Sequence, residues 1–174
     1  VWRKAGTLGQ MHSYGGSAAP GRHGKAGWIT GRAPRSTDLD ALHIENFNRT
    51  FTKRSETCYG CPVGCLATLT VAKGERAGTV MSMSCTAATM TLPFGITLGI
   101  KKFEDIFEAT EYAQRWGLDT LTIDVTIQLA MELYENGIID DDDLTGLPLK
   151  WGDVGSIIQV MEAIVFRRGF GAVL

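Results

Sequence analysis

No run of about 18 apolar residues, the minimum for a membrane-spanning helix, occurs anywhere in the 174-residue chain. The opening residues Val1-Trp2-Arg3-Lys4 lack the charged, apolar and small-residue regions of a secretory signal. A membrane span and export are therefore not expected, and the expected compartment is the cytoplasm. A basic excess is also missing. Seventeen Lys and Arg stand against 19 Asp and Glu, a net charge of -2, which argues against nucleic acid or an anionic membrane as partner. Histidine is scarce, with His12, His23 and His43 all in the N-terminal part, and none draws a catalytic role from its surroundings. No internal repeat is present. The remaining composition, 44% hydrophobic and 21% charged, is that of a soluble globular segment long enough for one domain with a core. Both ends, Val1 and the apolar Gly169-Phe-Gly-Ala-Val-Leu174, read as cuts in a longer chain.

Residues 1–57 are expected to form an irregular lead-in, because 1–40 are rich in Gly, Ser, Pro and Arg without a sustained period. Residues 58–174 are expected to form an incomplete helical domain. Leu66–Val71 reads as a short strand and Gly95–Gly99 as a flexible spot. Phe103, Ile106, Phe107 and Thr110 recur at helical spacing, with Gly117 as a stop. A second helix is expected from about Asp124 to Asn136, with Ile127, Ala130, Met131 and Tyr134 on one face. A third starts from the cap Asp153 and buries Val154, Ile157, Ile158, Met161, Ile164 and Val165. Asp140–Asp143 reads as a solvated turn capping the next element, since calcium loops space their oxygen ligands. The fold class is mainly α.

Chemistry concentrates at Cys58-Tyr-Gly-Cys61-Pro-Val-Gly-Cys65, a C-x2-C-x3-C spacing. Gly60, Pro62 and Gly64 disfavour a helix and favour a tight loop that turns three thiolates toward one object. Small residues let backbone N–H groups approach cluster sulfides. A [4Fe–4S] cluster needs one more ligand from elsewhere. Structural zinc would want a second C-x2-C hook or matched histidines, and neither is present; redox thiols are the third reading. Cys85, 20 positions after Cys65, is open among three roles: fourth cluster ligand, thiolate ligand to a second metal, or buried cysteine.

Taken in order, these strings resemble the aldehyde:ferredoxin oxidoreductase family of tungsten enzymes. Cys58-x-x-Cys61-Pro-x-x-Cys65 looks like its cluster loop. Gly117-Leu-Asp-Thr120 and the following Ala130-Met-Glu-Leu-Tyr-Glu-Asn-Gly137 look like its pterin-contacting segment and the next helix. Leu147-Pro-Leu-Lys-Trp-Gly-Asp153 matches its lead into a further helix. The resemblance implies a tungsten bis-pterin, with molybdenum as the alternative metal, beside a [4Fe–4S] cluster held by Cys58, Cys61 and Cys65. It implies oxidation of an aldehyde-type small molecule, electrons leaving to ferredoxin or an electron-transfer subunit, and room for an oligomer. The chain would be the middle helical domain, and the fourth cluster cysteine would lie beyond it.

Two departures bear on the site. Where the family often carries an acid at the start of its pterin segment, this chain has Gln114; Leu118 and Asp119 keep the pattern. Where aldehyde-oxidising members carry Gly-Pro-Glu-Tyr-Glu, Ser82-Met-Ser-Cys85-Thr86 stands. A thiolate is a soft ligand for tungsten or molybdenum, so Cys85 is a candidate metal ligand or active-site residue. This resembles the branch containing the catalytic subunit of benzoyl-CoA reductase. A cluster-only electron-transfer module is the other alternative.

Overall fold

A computed structural model describes residues 39–42, 44–60, 66–84 and 87–174. Two phenylalanine pairs set its centre. Phe47 lies on α1 (Ile44–Thr50) and Phe51 opens β1 (Phe51–Glu56), while Phe103 and Phe107 occupy successive turns of α2 (Phe103–Arg115). All four are at most 3% exposed. Phe51 stacks on Phe107 with centroids 5.5 Å apart, and Phe47 meets Phe103 edge-on at 5.5 Å, arrangements that suit the ring quadrupoles. Part of the expected irregular lead-in is thus regular: residues 44–56 form a helix and a strand because Phe47 and Phe51 are core residues.

β1 pairs antiparallel with β2 (Leu66–Val71), which pairs antiparallel with β3 (Val80–Ser84). The period of two along β2 buries Ala67, Leu69 and Val71, opposite the buried Met83 and Met81 of β3. The outer face is polar. Thr68 there donates to Glu56 Oε1 at 2.7 Å and shares a 2.6 Å hydrogen bond with Ser82.

A π-helix, Ala87–Thr97, follows. Its residues Met90–Ile96 are buried throughout, as an element apolar on all sides requires. Gly95, expected in a flexible spot, is instead inside this helix. A Cβ there would come within 2.9 Å of Ile106 Cδ1 and 3.0 Å of Leu42 Cδ1, so the glycine serves close packing. The apolar run hid this helix because it lacks the amphipathic period that marks an α-helix.

α2 and α3 (Thr120–Glu135) pack on the π-helix, and α5 (Val154–Val165) packs on α2. Between α3 and α5, Asp140 caps the single turn α4 (Asp141–Leu144) in a capping box, accepting from Asp142 N and Asp143 N while Asp143 Oδ2 accepts from Asp140 N. The four consecutive carboxylates are therefore a cap, as expected. The expected start of α3 moves back: it begins at Thr120, because Asp119 accepts from Thr122 N at 2.8 Å and caps it there. The third expected helix starts where its sequence says, with Asp153 accepting from Ser156 N at 2.9 Å. The described residues are mainly helical, with one three-stranded sheet.

α2, α3 and α5 end alike. Leu118 N donates to Ala113 O, Ile138 N to Leu133 O and Arg168 N to Ala163 O, the six-residue closure of a Schellman motif. The left-handed position is Gly117 or Gly137 in the first two and Arg167, at φ 50°, in the third. A side chain in that conformation costs about 1–2 kcal/mol, partly offset by the lower unfolded-state entropy of a non-glycine residue. Arg167→Gly should therefore raise stability by about 0.5–1 kcal/mol, read as a higher thermal unfolding midpoint.

Candidate cofactor site

The cysteine loop is the connection of a β-hairpin. Glu56 and Leu66 form the terminal pair of β1 and β2, so residues 57–65 span the gap between two hydrogen-bonded strands. Glu56 fastens this base from outside: its Oε1 accepts from Arg54 Nη2 at 2.8 Å and from Thr68 Oγ1 at 2.7 Å. Those hydrogen bonds, Thr68 first, lower its carboxyl below the ordinary value. Cys58 is exposed and carries a free thiol, and Gly60 adopts φ 71°, a left-handed turn suited to glycine. Cys61 and Cys65 lie outside the described residues, as does Cys85. Leu66 also pairs with Ser84, the last residue of β3. The strand ends bordering the cysteine loop and the strand end preceding Cys85 thus lie side by side at one edge of the sheet.

The three candidate pterin contacts meet at a second place, the turn joining α2 to α3. Gly117 N donates to Gln114 O at 3.2 Å, Leu118 N to Ala113 O at 2.8 Å, and Asp119 then caps α3. Gln114 and Asp119 are exposed and Leu118 is half-buried. Asp119 Oδ1 accepts from both the backbone N and the hydroxyl of Thr122, each at 2.8 Å. These bonds hold its carboxyl below the ordinary value and keep it a charged acceptor at neutral pH. The local capping role and an acceptor role are compatible, since a carboxylate has about four lone-pair sites. His12, His23 and His43 fall outside the described residues.

The structure also brings forward a residue that the pattern reading passed over. Asp124, one turn into α3, is 3% exposed and shares the buried face of Ile127, Gln128 and Met131. Its Oδ1 is hydrogen-bonded to Thr97 Oγ1 of the π-helix. Burial pushes its carboxyl up from 3.8 to about 7, against a lowering by Thr97. The signal was in the sequence: an acid at i−3 and i−7 from Ile127 and Met131 is on the apolar stripe, not opposite it. A further apolar line, Leu121, Val125 and Leu129, runs at four-residue spacing along α3 and is 42–55% exposed. No helix among the described residues is long and apolar enough to cross a membrane.

The whole chain, residues 1–174, matches the family model described as aldehyde ferredoxin oxidoreductase, domains 2 and 3. It is 33% identical over 124 residues to the tungsten-containing aldehyde ferredoxin oxidoreductase of Thermococcus kodakarensis, covering 68% of this chain and 19% of that protein. It is 30% identical over 138 residues to the WOR-like subunit of an aliphatic sulfonate oxidoreductase of Pyrococcus furiosus, covering 79% and 22%. Among solved structures, the active-site complex BamBC of benzoyl coenzyme A reductase with 1,5-dienoyl-CoA aligns at a TM-score of 0.60 and 26% identity. That alignment covers 80% of this chain and 20% of the other. These matches define an oxidoreductase domain. The chain belongs to the aldehyde ferredoxin oxidoreductase family, whose named members here include tungsten-containing enzymes. It spans about a fifth of the length of the relatives it matches.

Asp124 makes stability depend on pH with a definite sign. Its folded pKa of about 7 lies above the ordinary 3.8, so between those values the folded protein binds the extra proton. Stability from this group is complete below about pH 4, falls as pH rises toward 7 and is flat above, a total on the order of 4 kcal/mol. Asp124→Asn should flatten that part of the curve, measured as denaturation midpoint against pH for both proteins.

Proposed function

We propose that this chain is the part of a tungsten- or molybdenum-pterin oxidoreductase that holds one edge of a pterin and three of four thiolates of a [4Fe–4S] cluster. The observation that carries this reading is the pairing of a family match over the whole chain with two element ends that present the required donors. The cysteine hairpin offers soft sulfur ligands on a base pinned by Glu56↔Leu66, with the exposed Cys58 thiol at its start; Cys61 and Cys65 complete the motif in sequence. The α2–α3 turn offers an ionised carboxylate at Asp119 and an amide at Gln114, which suit the N–H and carbonyl groups of a pterin ring. Both donor sets fit the groups in question.

When bound, the metal–pterin centre and the cluster supply two-electron and one-electron chemistry respectively. The chain contributes position and electrostatics. Asp119 orients the ring while remaining tied to Thr122, so its carboxylate cannot swing away. Glycine at positions 60 and 64 of the sequence leaves room for backbone N–H groups to approach the added negative charge of a reduced cluster. The exposed line Leu121, Val125 and Leu129 is an apolar face for the rest of a full-length enzyme. The substrate class is an aldehyde-type small molecule, and electrons pass to ferredoxin or a partner subunit in the cytoplasm.

A specific observation favours a second substrate class. The aligned benzoyl coenzyme A reductase complex and the thiol at Cys85 both favour the branch acting on an aromatic thioester, with Cys85 as ligand or near neighbour of the metal. Ser84, the residue before Cys85, pairs with Leu66 at the end of the sheet where the cysteine hairpin loop departs.

Metal, sulfide and pterin analysis of the full-length protein, purified without oxygen, tests the reading. Iron, sulfide, pterin and tungsten or molybdenum together are expected. Iron and sulfide without pterin would mean an electron-transfer module, and zinc alone a structural domain; either result overturns the proposal. Cys58→Ser should lower iron content severalfold and leave the pterin metal in place. Cys85→Ser should do the reverse, changing the tungsten or molybdenum spectrum with iron retained. Asp119→Ala should reduce pterin occupancy and cost about 1 kcal/mol through the lost cap.

A further inference from the structure

Among the described residues, no positive charge contributes to the environment of Asp124. The π-helix facing it carries no charged residue. The charged groups on α2 are Glu104, Asp105, Glu108, Glu111 and Arg115, and α5 carries Glu162; all are half-buried or exposed. On its own helix, Glu132 and Glu135 lie two and three turns further on. None of these charges contributes to its raised carboxyl value, which burial raises and the Thr97 hydrogen bond partly lowers.

Hydrogen counting gives an independent constraint. Thr97 Oγ1 is hydrogen-bonded to Asp124 Oδ1 and to Pro93 O, with Leu92 O a further 3.2 Å contact. A threonine hydroxyl has one hydrogen and two lone pairs. The carbonyl of Pro93 cannot donate, so two oxygen–oxygen hydrogen bonds require a second hydrogen. The carboxyl is the group that can supply it.

We propose that Asp124 is a positioning residue that works as a carboxylic acid: it donates to Thr97 Oγ1, Thr97 donates to Pro93 O, and this chain clamps α3 to the π-helix. Ionisation leaves one hydrogen for two acceptors and loosens the clamp. The location gives the clamp its reach. α3 begins at its cap Asp119, and the π-helix begins two residues beyond Cys85 in the sequence. Asp124 therefore joins the two segments to which the proposed function assigns pterin contact and metal ligation. The clamp itself stands apart from that function; its effect on the cofactor rests on it.

Infrared difference spectroscopy of the full-length protein across about pH 5 to 9 tests the acid directly. The wild type should show a protonated-carboxyl C=O band that disappears with a midpoint near pH 7. The band should be absent from Asp124→Asn and shifted in Thr97→Val, where the acid loses its acceptor. A band that persists in Asp124→Asn, or no titrating band in the wild type, overturns the proposal. The second measurement is the visible and paramagnetic spectrum of the metal-loaded protein over the same range. It should change with the same midpoint in the wild type and stay at its low-pH form in Asp124→Asn, whose amide still donates but does not titrate. A titrating band with a cofactor spectrum that ignores pH overturns the positioning role. Protein that holds no pterin metal or cluster overturns the proposed function instead, and the infrared measurement still decides the clamp.

Discussion

An element apolar on every side is stable in water only when every side is covered, and the π-helix Ala87–Thr97 imposes that condition on the fold. Met90, Leu92, Phe94 and Ile96 are all buried, so α2, α3 and the residues around Leu42 have to close over it. Gly95 shows how tightly they do: even a methyl group would press on Ile106 and Leu42. Interiors packed to this density transmit displacement from one element to the next instead of absorbing it. Leu98 O then accepts from Gly152 N at 2.8 Å, which ties the end of the π-helix to the approach of α5.

This closure explains why the candidate cofactor residues lie at element ends. Backbone within the packed elements is occupied by its own hydrogen bonds, so donors and acceptors available to a cofactor lie in the turns. The α2–α3 turn is rigid for two separate reasons, the Schellman closure at Gly117 and the cap at Asp119. The cysteine hairpin is held from below by the Glu56↔Leu66 pair and from outside by Arg54, Glu56 and Thr68. Such supports suit the proposed cofactor role, because ligands fixed before loading need little rearrangement when charge changes.

The chain belongs to the aldehyde ferredoxin oxidoreductase family and spans about a fifth of the length of the relatives it matches. The exposed apolar line on α3 is intelligible on that scale. Leu121, Val125 and Leu129 would be unusual as a solvent face, yet they suit the proposed role, in which the helix starts at a cofactor contact and its apolar line packs on further protein. Relatives named for an aldehyde, an aliphatic sulfonate and benzoyl coenzyme A indicate that the family's scaffold accommodates several substrates.

The sequence by itself determined the features that depend on neighbours a few residues apart. Helix α2 follows from Phe103, Ile106, Phe107 and Thr110, α5 from the Asp153 cap, strand β2 from its alternation, and the acidic turn from Asp140–Asp143. It also carried the cysteine spacing and the Gly117-Leu-Asp signature, since a short cysteine loop and a capped turn are local features. Tertiary structure decided what local pattern leaves open. The π-helix was invisible because it has no polar face to create a period. Residues 44–56 became regular because Phe47 and Phe51 have ring partners more than 50 positions away in the sequence. Asp124 gained its meaning only when α3 packed on the π-helix: an acid on an apolar stripe becomes a proton-holding group once burial removes water and leaves Thr97 as its hydrogen-bond partner.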